Sequence, residues 1–149
     1  MNYRKANLED ITQLVELRKK QLIDEGSHAD TDIDGELEKY FTTSITNGDL
    51  FVWLAVENDN IIGTAAACYF QYPPNFSNPT GRTAYITNVY TKDEYRNQGI
   101  ATSLLELVFE GLKNNDCKFV RLHASAQGKK LYEKMGFVDA EGIMNLRIE

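Results

Sequence analysis

The chain has 149 residues, of which 42% are hydrophobic and 26% are charged, a composition typical of soluble globular proteins. Its net charge of −6 argues against nucleic acid as a partner, and no apolar run is long enough to cross a membrane. Two cysteines without metal-ligand spacing, two histidines and a polar N-terminus predict a cytoplasmic protein with no metal site, folded as one domain over residues 1–149.

The first half of the chain predicts a strand, two helices and a β-hairpin. Asn7 and Asp10 have the spacing of a capping box, so we expect a helix to begin there. An Asn-Asp-Asn turn between two runs rich in β-branched and aromatic residues predicts the hairpin. In chain order the elements are a strand at 3–6, a helix from Asn7 to about Ile23, a helix from Thr31 or Asp32 to Asn47, and strands at 50–57 and 61–70.

All three prolines of the chain fall in residues 71–81, so this segment cannot be a central strand. The aromatic residues of this loop are either a packed lid or ligand contacts, and the sequence leaves both readings open.

The second half predicts strands alternating with helices. The strands are expected at 83–91, 118–123, 137–139 and 143–148, and the helices at 100–112 and 125–135. The complete order predicts an α/β (α+β) protein with one mixed sheet of about six or seven strands and about four helices on its two faces.

The turn between the strand at 83–91 and the helix at 100–112 predicts an anion-binding site. A strand that turns sharply into a helix leaves backbone N–H groups unpaired, and the helix dipole favours an anion there. Gly99 has no Cβ, so a ligand can approach its backbone closely. Residues 92–134 contain eight Lys or Arg against six Asp or Glu, a net charge of +2, whereas the rest, eight against sixteen, carries −8. For a single glycine, an ordinary strand-to-helix connection is the alternative interpretation.

This turn, Arg96-x-x-Gly99-x-Ala101, resembles the pyrophosphate-binding motif of the GCN5-related N-acetyltransferase (GNAT) superfamily, Gln/Arg-x-x-Gly-x-Gly/Ala. Residues 122–137 resemble the second signature of that family, Ala-x-x-Leu-Tyr-x-x-x-Gly-Phe, with Gly128 in the place of the alanine. The resemblance spans about residues 83–138. It implies the GNAT fold, with a mixed and mostly antiparallel central sheet, and an acetyl-CoA-dependent N-acetyltransferase.

The resemblance also implies a role for individual residues. The strand backbone around Val89 and Thr91 would hold the pantetheine arm, and the N–H groups of residues 97–102, which follow the side chain of Arg96, would hold the pyrophosphate. Ser125 stands where many relatives have asparagine and keeps a hydrogen-bonding group. Tyr132 matches the tyrosine that acts as general acid beside the cofactor sulfur. The implied cofactor-binding residues are Val89, Tyr90, Thr91, Arg96, Asn97, Gln98, Gly99, Ile100, Ala101, Thr102 and Ser125.

The general base is not identified by the resemblance. An alkylamine with a pKa of about 10.4 is almost entirely protonated at pH 7, so a group must remove its proton. Tyr85 stands where the histone-modifying branch has a glutamate. Glu94, His123 or a chain of water molecules are the alternatives, and a histidine at the end of a strand is often only structural.

The acceptor is suggested only by charge. Residues 24–38 include seven acidic side chains and no Lys or Arg. This region forms one wall of the acceptor cleft in the family, which implies a cationic acceptor, although a solvated acidic surface is the alternative.

We therefore expect acetyl-CoA and a primary amine of a small cationic molecule or a peptide as partners, with no nucleic acid or membrane. A homodimer is compatible with the sequence. Three alternatives stay open: the protein is a catalytically weak acyl-CoA sensor, it transfers the acyl group to oxygen, or it uses a longer acyl donor.

Overall fold

A computed structural model describes residues 1–140 and 142–148. Short 3₁₀ turns at Leu8–Asp10 and Asp93–Tyr95 supplement the regular elements. These elements are β1 (Asn2–Lys5), α1 (Ile11–Asp24), α2 (Asp34–Asn47), β2 (Leu50–Glu57), β3 (Asn60–Gln71), β4 (Arg82–Thr91), α3 (Ile100–Asn114), β5 (Val120–Leu122) and α4 (Lys129–Lys134).

The strands form one sheet in the order β1-β2-β3-β4-β5. All neighbours are antiparallel except β4 and β5, which run parallel. The predicted mixed, mostly antiparallel sheet with four helices is therefore confirmed. The predicted number of six or seven strands is wrong, because the described residues form a five-stranded sheet.

The sheet separates two apolar clusters. One contains Leu14 of α1 and Phe41 of α2, and the other contains Leu104 of α3. Side chains of a strand point alternately to the two faces, so Leu54 of β2 packs with α1 and α2, whereas the next residue, Ala55, packs with α3. Both faces of the sheet are thus covered by helices.

The capping predicted in the first half is confirmed. Asp10 Oδ2 accepts a hydrogen bond from Asn7 N, and Asn7 Oδ1 accepts one from Glu9 N, each at 2.8 Å. Asn58 and Asp59 adopt φ angles of 51° and 63°, as a tight two-residue hairpin turn requires.

The two strands predicted at 137–139 and 143–148 are wrong, since no strand is present in residues 137–140 and 142–148. Val138, Met144 and Leu146 are 87%, 93% and 85% exposed, so these apolar side chains do not pack against the sheet. Strand propensity is realised only where neighbouring strands and a core provide contacts. For a similar reason β5 covers only Val120–Leu122 of the predicted 118–123.

β4 has a bulge directly after the point where its pairing with β5 ends. Thr64 pairs with Tyr90 and Ala66 pairs with Thr87, so β4 has one extra residue between these pairs. Asn88 has a φ of +54°, and its carbonyl oxygen accepts a hydrogen bond of 2.6 Å from the Thr64 hydroxyl. Pairing of β4 with β5 ends at Ile86, so in the described chain the rest of β4 has no partner strand on that side.

Candidate active site

A cleft of about 720 Å³ opens where β4 and β5 separate, within the size range of ligand pockets. It is bounded by the end of α1, the start of α3 and the start of α4. Gln98 is the one predicted site residue that does not line it, and its side-chain amide donates to the Glu94 carbonyl at 3.3 Å. The predicted residues that do line it are Val89, Tyr90, Thr91, Arg96, Asn97, Gly99, Ile100, Ala101, Thr102, Ser125 and Tyr132.

The loop before α3 presents a run of free backbone donors. The N–H groups of residues 97–102 donate to no acceptor within residues 1–140 and 142–148, whereas Ser103 N donates to Gly99 O at 3.1 Å as the helix begins. Asn97 and Gly99 have φ angles of +61° and +78°, a geometry that turns successive N–H groups toward one concavity. A Cβ built on Gly99 would meet nothing within 4 Å, and Gly99 lines the cleft. These residues fit a bound phosphate or pyrophosphate.

The end of β4 offers N–H groups to the same cleft. Lys92 N donates to Ile62 O of β3 at 2.9 Å, so by strand alternation the backbone groups of Thr91 and Val89 point to the open edge. Their carbonyls are already engaged, by Arg96 Nε at 2.9 Å and by Gln21 Nε2 at 3.2 Å. The groups left for a ligand are therefore the N–H groups.

Arg96 is held by the protein itself. Besides Thr91 O, its guanidinium contacts Asp93 at 3.0 Å and Asp24 at 3.6 Å. These contacts join the loop to β4 and to the end of α1. Arg96 thus positions the donor loop, and its positive charge remains at the rim of the cleft.

The end of α1 was not predicted as part of the site, yet Gln21, Asp24 and Glu25 line the cleft. The Tyr90 hydroxyl donates to Asp24 Oδ2 at 3.0 Å. The pKa of Tyr90 is raised, mainly because the ring is buried and also because of this neighbouring carboxylate. The only signal in the sequence is Gln21, a polar residue at a core-facing position of an amphipathic helix.

Tyr132 is only 8% exposed, and no hydrogen bond joins its hydroxyl to another described residue. Burial raises the pKa of Tyr132 to about 12, and the nearby Glu25 and Tyr85 act in the same direction. A Cβ on Gly128 would lie 2.8 Å from Cε2 of the Tyr132 ring, so an alanine here would require the ring to shift from its position in this structure. Ser125 Oγ accepts a hydrogen bond from Gly128 N at 3.1 Å and so fixes the same turn.

The acidic segment contributes only in part to the cleft. Asp24 already contacts Lys20 and Arg96, which leaves Glu25 as the acidic lining residue without a cationic partner among the described residues. Asp34 pairs with Lys19 at 2.9 Å outside the cleft lining. Asp30 and Asp32 also lie outside it.

Two of the candidates for the base occupy very different places. Glu94 is exposed in the 3₁₀ turn before α3 and does not line the cleft. His123 and Tyr85 also lie outside the cleft lining, but His123 directly follows β5, beside the point where β4 and β5 separate, and its Nδ1 is 2.5 Å from the Tyr85 hydroxyl oxygen.

In the loop at 71–81, one aromatic side chain contacts another residue and one points into solvent. The Tyr72 ring lies 5.7 Å from the Arg121 guanidinium, whereas Phe76 is fully exposed. In the part of the chain that the structure describes, no group of three His, Cys, Asp or Glu side chains could hold a metal ion. No helix described there is long and apolar enough to cross a membrane.

Fold and cleft together define an acetyltransferase of the GNAT type, and comparison with known proteins agrees. The model of the acetyltransferase (GNAT) family matches residues 11–137, and the chain belongs to this family of N-acetyltransferases. It is 44% identical to a predicted acetyltransferase from Clostridium acetobutylicum, whose crystal structure contains acetyl-CoA. The two structures superpose with a TM-score of 0.95 over 98% of this chain and 95% of the other.

Two further comparisons are more distant. A GCN5-related N-acetyltransferase from Ralstonia eutropha JMP134 shares the fold, with a TM-score of 0.91 at 21% identity over 98% of this chain and 97% of its own. The thialysine N-ε-acetyltransferase of Mus musculus is 33% identical over 93 residues, which are 58% of this chain and 55% of the relative. The chain therefore matches only about half the length of that curated relative.

Proposed function

We propose that this protein is an acetyl-CoA-dependent N-acetyltransferase that acetylates a primary amine of a small cationic molecule or peptide. The observation that carries the proposal is the arrangement of one cleft. Asn97 and residues 99–102, whose N–H groups are unpaired among the described residues, line this cleft together with Tyr132.

The donor site follows from these N–H groups. The loop of residues 97–102 and the start of α3 would hold the pyrophosphate of acetyl-CoA, and the N–H groups of Val89 and Thr91 would hold the pantetheine arm. Arg96 would keep the loop in place through Thr91 and Asp24. The acetyl-CoA in the Clostridium acetobutylicum structure supports this choice of donor.

Tyr132 is proposed as the general acid. Acetyl-CoA supplies a thioester carbonyl carbon, which forms a bond with the amine nitrogen as its bond to sulfur breaks. The leaving thiolate then takes the proton of the Tyr132 hydroxyl, and the proton that the nitrogen loses as the amide forms restores that hydroxyl. With its pKa raised to about 12, Tyr132 stays protonated at neutral pH but is a weak acid, so we expect a modest contribution to the rate.

The acceptor is proposed from the charge at the cleft. Glu25 lines it without a cationic partner among the described residues, so its carboxylate favours a positively charged amine. Thialysine is a suitable probe, since the related mouse enzyme is named for that substrate.

Release of free CoA thiol with a panel of amines that includes thialysine tests the proposal. The wild-type protein should release thiol only when an amine is present. Tyr132→Phe should lower turnover about 10- to 100-fold, at the low end of general acid catalysis, and change acetyl-CoA affinity less than about twofold. Tyr3→Phe, which removes a hydroxyl in β1 at the sheet edge opposite β5, should leave turnover unchanged.

Two results would count against the proposal. If the wild-type protein binds acetyl-CoA but releases no thiol with any amine, it is a sensor rather than an enzyme. If Tyr132→Phe retains full turnover, Tyr132 serves packing alone.

A further inference from the structure

We propose that Tyr85 and His123 form a proton relay that removes the proton from the acceptor amine. This inference rests on the proposed N-acetyltransferase function and supplies its missing base. At pH 7 an alkylamine with a pKa of about 10.4 is neutral in only about one molecule in two thousand. An enzyme that binds the abundant ammonium form must therefore accept a proton.

The register of the sheet brings the two residues together. β4 and β5 are parallel, with Tyr85 opposite Arg121, and His123 follows two residues later. Val120 and Leu122 pack against the cluster on the α3 face, so by strand alternation His123 points to the opposite face. Tyr85 packs on that same face, the one covered by α1 and α2. The pair thus lies at the point where β4 and β5 begin to separate.

The hydrogen bond between them offers a path for proton transfer. Tyr85 O and His123 Nδ1 are 2.5 Å apart. Burial raises the pKa of Tyr85, so its hydroxyl stays protonated at neutral pH, and in the proposed relay it donates to Nδ1. A neutral imidazole that accepts at Nδ1 carries its own proton on Nε2. The His123 backbone also approaches the Tyr85 oxygen, whose remaining lone pair would accept an N–H of the acceptor.

The proton balance is then simple. As the ammonium gives a proton to the Tyr85 oxygen, Tyr85 gives its own proton to Nδ1, and His123 becomes an imidazolium. His123 is exposed, so Nε2 releases a proton to water and the neutral ring is restored. The amine nitrogen is left with the lone pair that attacks the thioester.

Other charged or titratable groups face the pair without bonding to it. Arg18 of α1, Glu25 directly after α1, Cys68 of β3 and Tyr132 of α4 act on this region electrostatically. None of them forms a side-chain hydrogen bond with the Tyr85 hydroxyl or the His123 ring within the described chain. Arg121, opposite Tyr85, lies against Tyr72 instead.

The pH dependence of kcat/KM for thialysine tests the relay. The wild-type kcat/KM should level off above about pH 8, because a neutral imidazole is then available to accept the proton. His123→Gln and Tyr85→Phe should each lower kcat/KM at least 10-fold at pH 7.5. Both variants should then gain about 10-fold per pH unit up to pH 9, since they depend on amine that is already neutral. His28→Gln, at an exposed histidine outside the cleft lining, should match the wild type.

A second measurement needs no acceptor. Nitrogen-15 NMR of the histidine rings at pH 8 should find the proton of His123 on Nε2, and Tyr85→Phe should shift this tautomer balance.

Failure of the relay differs from failure of the enzyme. Variants whose pH profiles run parallel to the wild type, or a wild-type His123 with its proton on Nδ1, overturn the relay alone. A wild-type protein that acetylates no amine overturns the proposed function and the relay with it. If Glu25→Gln, rather than the two relay variants, produces the steep pH dependence, the base is that carboxylate and the relay is wrong.

Discussion

Gly128 lies one residue before α4 and shapes the part of the cleft that contains Tyr132. Its missing side chain leaves room for the Tyr132 ring, since a Cβ there would be 2.8 Å from Cε2 and 3.2 Å from Ser125 Oγ. The position of the Tyr132 hydroxyl therefore depends on a neighbour that carries no functional group.

Gly128→Ala should displace the Tyr132 ring, because the added methyl group is closer than atoms can pack. Turnover should fall at least about fivefold, and overpacking should destabilise the fold by about 1–3 kcal/mol. Gly35→Ala in α2 is the matched control: a Cβ there meets nothing within 4 Å, so turnover should not change. Turnover and urea denaturation of both variants measure this effect. Full turnover in Gly128→Ala would show that the ring does not need that space.

Local motifs predict some residues of the site and miss others for a physical reason. Gly99 and Tyr132 stand in short sequence patterns, because a phosphate loop and the start of a helix are built from neighbouring residues. The bonds of Gln21 to Val89 and of Tyr90 to Asp24 join residues 68 and 66 positions apart. Such contacts depend on how α1 packs against β4, which no local pattern encodes.

At the scale of elements, residues 24–38, around the connection from α1 to α2, carry seven acidic side chains and no Lys or Arg. Of these seven, only Asp24 and Glu25 line the cleft, whereas Asp34 pairs with Lys19. The sequence predicted an acidic wall, but Asp24 contacts Lys20 and Arg96, so Glu25 is the acidic lining residue without a cationic partner among the described residues.

Glu25→Gln should lower kcat/KM for thialysine about fivefold at low salt, because a unit charge about 4 Å away contributes about 1 kcal/mol in water. The wild-type value should fall toward that of the variant as salt shortens the Debye length below about 10 Å. Asp30→Asn removes an equal charge from the same connection outside the cleft lining and should have little effect. If both variants fall equally, the long-range field of the connection acts rather than a contact with Glu25.

The C-terminal elements were the least predictable. Alternating apolar residues at 143–148 favour a strand, yet these residues lie outside the sheet. By contrast, the hairpin was predicted closely, because its turn residues, Asn58 and Asp59, tolerate positive φ. An element is thus predicted well when its own residues determine its backbone, and poorly when it needs a partner strand.

At the scale of the whole molecule, the fold brings backbone N–H donors and Tyr132 to one opening in the sheet from opposite sides. Pairing of β4 with β5 ends at Ile86, opposite the last residue of β5, Leu122, and the bulge in β4 follows between Thr87 and Tyr90. In the described chain, the strand N–H groups beyond Ile86 therefore have no partner strand on that side. The helix that follows β4 adds its N-terminal donors on one side, and α4 brings Tyr132 from the other. Residues 92–134, which carry a net charge of +2 in an otherwise acidic chain, contribute most of this wall.

The central claim is that the loop before α3 binds acetyl-CoA through its backbone, and calorimetry of acetyl-CoA with Gly99→Ala tests it most directly. Gly48→Ala is the matched control, since Gly48 has a φ of +83° beside +78° at Gly99, and an added Cβ meets nothing within 4 Å at either position. Both variants carry the same backbone strain of about 1–2 kcal/mol, but only Gly99 lines the cleft. The account predicts that the dissociation constant rises at least 10-fold in Gly99→Ala and stays within about twofold of the wild type in Gly48→Ala. Equal affinity in the two variants would contradict it.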